Sequence, residues 1–184
     1  LPGLGITLLS TSSSEFAREI QLGPILEALS TPRGRRAFKL LQEPWKTVVL
    51  GLLPDFHEGG GPIPQPPPLQ PGAVPRRLFE AIRQILLRLS DENPIVLLMD
   101  DAQWLDETTA AALDYLRRRW DSGSLTVVLA DRPESRIPGS AADRLLTFLH
   151  GNATGVVHID LGPLGRADAL SLVADTAGPD LDPG

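Results

Sequence analysis

The segment Pro94–Gln103 constrains this chain more than any other. Ile95-Val96-Leu97-Leu98-Met99 is an unbroken apolar run that ends on two adjacent carboxylates, Asp100 and Asp101. A run this short is a strand length, and a strand apolar at every position belongs in a parallel sheet covered on both faces. Acidic groups at its carboxyl end fall where open α/β sheets place their ligand crevice. Trp104-Leu105-Asp106 then leads into a helix, with Asp106 as its N-cap.

The flanking pattern agrees. Pro75 opens an amphipathic helix with Leu78, Phe79, Ile82, Ile85, Leu86 and Leu89 on one face, and Asn93-Pro94 punctuates before the strand. After Asp106, Thr109, Leu113, Leu116 and Trp120 share a helical face that Asp121-Ser122-Gly123 ends. Leu125–Ala130 reads as a second buried strand, Ala142–Leu149 as a helix, Val156–Asp160 as a third buried strand and Arg166–Thr176 as a last helix. This alternation predicts right-handed crossovers and a parallel sheet. Upstream, Ile6–Ser10 reads as a strand, Pro24–Leu29 as a helix, and Arg35–Glu43 and Trp45–Leu53 as helices, the latter stopped by Pro54. The Gly- and Pro-rich stretch from Gly59 to Pro75 forms neither helix nor central strand and reads as an exposed linker, despite the PxxP spacing of Pro64 and Pro67.

Composition narrows the class. A net charge of −6 argues against a broad phosphate-backbone surface and hence against direct nucleic-acid binding. No apolar run approaches the roughly 18 residues of a membrane span. The absence of cysteine removes disulfides and thiolate chemistry and fits a cytoplasmic setting. His57, His150 and His158 lack metal-ligand spacing, and Asn152-Ala153-Thr154 matches a glycosylation acceptor by spelling only. Arg117-Arg118-Arg119 sits at a helix C-terminus, where cations suit the dipole.

Two carboxylates at a strand end suit a hydrated Mg²⁺ on a nucleotide phosphate, with the second placed to orient water. This is a Walker B pattern. Its usual companion, a glycine loop ending in Gly-Lys and Ser or Thr, does not occur in the 184 residues. The chain, which begins with Leu, therefore reads as a piece whose upstream part carries the first strand and phosphate loop, and these residues alone are not expected to turn over nucleotide.

Three stretches carry a family resemblance. Leu97-Leu98-Met99-Asp100-Asp101-Ala102-Gln103-Trp104-Leu105-Asp106 resembles the Walker B segment of the signal-transduction ATPases with numerous domains, AAA-related P-loop ATPases of large LuxR-type regulators and other multidomain sensors. Val127–Glu134 resembles the next strand with its Arg-Pro, and His158–Leu164 the strand and Leu-x-Pro-Leu turn that follow. Gly165 stands where that family usually places a capping Ser or Thr.

The resemblance implies a three-layer α/β, parallel-sheet P-loop NTPase core of the ASCE or AAA-like type, incomplete at its N-terminus. Residues 1–58 would be its first part (second strand and helical insert), 59–75 a linker, 76–177 the Walker B and sensor half, and 178–184 a tail. It implies ATP and Mg²⁺ as cofactors, Asp100 as the metal and nucleotide contact, Asp101 as the catalytic carboxylate and Arg132 as a γ-phosphate contact. Trp104 reads as packing. The absent strand would lie between those at Leu125 and Val156, leaving the last one poorly anchored. Partners would be ATP, other domains of a parent regulator and further copies of the chain. The alternative is a non-catalytic, truncated or degenerate homologue that serves as an interaction scaffold. A DNA-remodelling AAA enzyme fits the acidic balance poorly.

Overall fold

The computed structural model describes residues 5–59, 61–66, 74–152 and 154–177. The tail at 178–184, residues 67–73 of the Pro-rich stretch and Ala153 lie outside them. The chain divides into two units, one ending at Gly151 and the other starting at Asn152.

The first unit is built on a three-stranded parallel sheet, β1 (Thr7–Ser12), β2 (Ile95–Asp100) and β3 (Leu125–Leu129), in the order β1-β2-β3. Thr7 pairs with Ile95 and Ser12 with Asp100 on one side of β2, while Ile95 pairs with Leu125 on the other. Helices α1 (Gly23–Leu29), α2 (Pro32–Lys39) and α3 (Trp45–Leu52) lie between β1 and α4 (Val74–Ser90), α5 (Glu107–Arg119) follows β2, and α6 (Ala141–Asn152) closes the unit. Thr31 explains why α2 begins three residues earlier than its apolar spacing suggests: its hydroxyl accepts the Gly34 N–H, and Pro32 sets the first turn.

Burial alternates along β1 and β2, whereas the three central residues of β3 are all exposed. Leu9, Leu97 and Met99 are buried against α1, α4 and their neighbours, whereas Leu8 on the opposite face is 41% exposed and Val128 40%. The sequence predicts strands covered on both faces; in this unit one face is covered. The reason is that the apolar run sets strand propensity, but coverage depends on what packs from elsewhere. The core joins Leu9, Ile25, Phe38, Ile82, Ile85, Leu97 and Leu116, each at most 4% exposed. Ile63 packs against it, so the start of the Gly/Pro-rich stretch is more than a solvated spacer.

In the second unit, α7 (Arg166–Ala177) forms as expected, but the strand predicted over Val156–Asp160 does not. Those residues join no ladder, and Val157 and Ile159 are 83% and 79% exposed. A strand exists by pairing, and the described residues of this unit hold no second strand to pair with.

Candidate functional site

The carboxyl edge of the sheet gathers the charged residues. β2 ends at Asp100, whose carbonyl accepts the Ser13 N–H at 3.0 Å, so the end of β1 is pinned beside it. On the other side, Ala130 N–H donates to the Met99 carbonyl and Ala102 N–H to the Ala130 carbonyl, at 3.0 and 2.8 Å. These bonds carry the β2–β3 pairing past the ladder and bring the residues after both strands together.

Between them Asp101 turns the chain sharply. Its backbone is left-handed, with φ 52° and ψ 42°, which Asp and Asn tolerate better than other non-glycine residues. The turn continues through the short 3₁₀ segment Ala102–Trp104. Gln103, 2% exposed, uses both ends of its amide here: Nε2 donates to Asp101 Oδ1 at 2.9 Å, and Oε1 accepts the Arg132 N–H at 3.1 Å. One side chain thus ties the end of β2 to the segment after β3.

Arg132 completes the arrangement. Its Nε and Nη2 lie 3.1 and 2.5 Å from Asp101 Oδ1. The Gln103 amide, then the Arg132 guanidinium, hold the Asp101 carboxyl below the usual carboxylate range. Asp101 in turn pushes the guanidinium up, with Asp100 adding to its field. Asp101 is therefore a carboxylate at neutral pH, able to accept but not donate a proton. Asp100 is exposed and accepts the Asp101 N–H at 2.9 Å.

Mg²⁺ prefers hard oxygen donors and keeps several waters, needing only one or two carboxylates besides a substrate's phosphates. An exposed Asp100 beside an ionised Asp101 fits that demand. No group of three or more His, Cys, Asp or Glu that could hold a metal occurs among the described residues, so no all-protein cage is present among them.

Asp106 fixes the start of α5, the helix that follows the site in the chain. It is 5% exposed; Oδ1 accepts the N–H groups of Thr108 and Thr109, capping α5 as the sequence predicts, and also that of Leu22 at 3.2 Å. Its second oxygen takes the Thr109 hydroxyl. Leu22 has a left-handed backbone (φ 59°), so this carboxylate holds the loop before α1 against the start of α5.

The structure brings together Asp100, Asp101 and Arg132, the three residues singled out from the sequence. Sequence reasoning missed Gln103 as a tether; an amide buried within an otherwise apolar and acidic motif was the available signal. It also missed the Asp131–Arg136 pair at 2.6 Å, with both side chains largely buried. The arginines of α5 behave as its basic last turn: Arg117 and Arg118 pair with Asp114. Trp104 is half-buried, His57 meets the Gly61 carbonyl and His150 the Leu146 carbonyl.

A family model for the AAA ATPase domain matches residues 5–128, two-thirds of the chain, from before β1 into β3. The chain belongs to this AAA ATPase domain family. No curated protein and no solved structure matches it. Membership brings nucleotide-dependent activity as the expected chemistry. No described helix is long and apolar enough to cross a membrane.

Proposed function

We propose that these residues form the Walker B and sensor half of an ATP-binding and hydrolysing domain that acts as a nucleotide-dependent switch in a multidomain signalling or transcription regulator. The observation that carries this is the Asp101–Arg132 pairing across the ends of β2 and β3, in a chain of the AAA family. Asp100 would hold Mg²⁺ through its water shell, and the ion would supply charge neutralisation on the phosphates. Asp101 would orient the attacking water and accept its proton, and Arg132 would contact the γ-phosphate. A Gly-Lys phosphate loop would come from outside these 184 residues. Its strand would pair with the outer edge of β3, the last strand of the three, where Val127 and Val128 are 37% and 40% exposed. Such a domain would be of the ASCE class, with ATP, neighbouring domains and further copies of the chain as its partners in the cytoplasm.

The second reading is a non-catalytic scaffold, favoured by the lack of any Gly-Lys pair and by Asp101 being engaged by Arg132 and Gln103. Mg²⁺-dependent ATP binding to the full natural protein separates the two. The switch reading expects Asp100→Asn and Arg132→Gln each to weaken binding about tenfold or more, and the scaffold reading expects no binding to weaken.

A further inference from the structure

We propose that the arginine-lined cavity between α3, α4 and α5 binds a small phosphate ester carrying a flat ring. The cavity measures about 500 Å³, within the roughly 300–1,000 Å³ of small-ligand sites, and shares no residue with the site around Asp101.

Its charge is the first argument. Arg76, Arg77, Arg83 and Arg119 line it against two carboxylates, Glu80 and Asp121, in a chain that is acidic overall. Both carboxylates are already engaged within the wall. Glu80 accepts from Arg83, Gln84 and the Tyr115 hydroxyl, at 2.9, 2.8 and 2.7 Å, and Asp121 accepts from Arg83. Arg83, only 12% exposed, also donates Nε to the Arg119 carbonyl at 2.9 Å, so the floor is a fixed polar network. Burial pushes the Glu80 carboxyl up, but its three donors outweigh this and keep it ionised, so it offers no acidic proton to an incoming anion.

The positive surplus is also badly placed for stability alone. Arg76 stands in the first turn of α4, where the helix dipole disfavours cations and which holds no acidic residue, and its guanidinium hydrogen-bonds the Tyr115 hydroxyl. Guanidinium groups converging from two helices match the spread oxygens of a phosphate, which they bind through paired N–H donors. Trp45 and Tyr115 form the apolar part of the wall and suit a ring attached to that phosphate.

Calorimetric titration of the chain with phenyl phosphate, at low salt and without Mg²⁺, tests the proposal. One-to-one binding is expected, at least tenfold weaker in the Arg76→Gln/Arg119→Gln double variant. Both residues are exposed, so the variant should keep the native urea midpoint. The charge-matched Arg36→Gln/Arg88→Gln variant should bind within twofold of the native chain, and inorganic phosphate more weakly than phenyl phosphate. No binding to the native chain, or equal loss in the two double variants, would overturn the proposal. A phosphotyrosyl tripeptide identifies the source: tighter binding than phenyl phosphate supports a protein-borne phosphate, and weaker binding a free small molecule.

Discussion

Replacing Asp106 with Ala removes, in one step, the cap of α5 and its tie to the loop before α1. Loss of an N-cap costs about 1 kcal/mol. The Leu22 N–H, buried and bound to Asp106 Oδ1, would be left without a partner, at about 1–3 kcal/mol, and the Thr109 hydroxyl would lose its acceptor as well. The expected loss is about 4 kcal/mol, a large share of the roughly 5–15 kcal/mol typical of a domain. With a urea slope near 2–3 kcal/mol/M, the midpoint should fall by roughly 1.5 M. Asp106→Asn keeps an oxygen for the three N–H groups and should cost about 1 kcal/mol. Hydrogen exchange supplies a local readout, since the Leu22 amide should lose protection in the Ala variant at mild denaturant. The reasoning is refuted if Ala costs under about 1 kcal/mol, or if Asn costs as much as Ala.

Two other outcomes follow from the same structure. The Asp101 carboxyl is held low in the folded state, so its pairing contributes stability above the unfolded value near 3.9 and loses it as pH falls through the lower folded value; Arg132→Gln should raise the NMR-observed pKa of Asp101 and flatten the stability profile below about pH 4. Gly34→Ala should destabilise, against the gain of roughly 1 kcal/mol that helix propensity offers, because a methyl there would overlap the Leu29 carbonyl oxygen; a higher melting temperature would show that this close approach can relax.

What could be read from the residues was local. The β2 run, its two carboxylates, the Asp106 cap and the amphipathic face of α4 are set by neighbours within a few positions, and each stands where the sequence places it. What could not be read was coverage and pairing. Val96 and Leu98 have side chains fit for burial but are only half covered, and Val156–Asp160 has strand residues but no ladder. Gln103 falls between these cases. Its position after Asp101 was plain, but its second partner, the Arg132 N–H, lies 29 residues away. Likewise the left-handed turn at Asp101 is a local matter, but the guanidinium that closes on its carboxylate arrives from the segment after β3.

The most direct test is ATP turnover by the full natural protein carrying Asp101→Asn, measured with ATP binding in the same preparations. Asn tolerates the left-handed turn and retains an oxygen for Gln103 and Arg132, so the fold should persist. The account predicts that turnover falls a hundredfold or more while Mg²⁺-dependent ATP affinity stays within a few-fold. Native turnover in the variant would contradict it by removing Asp101 from the chemistry.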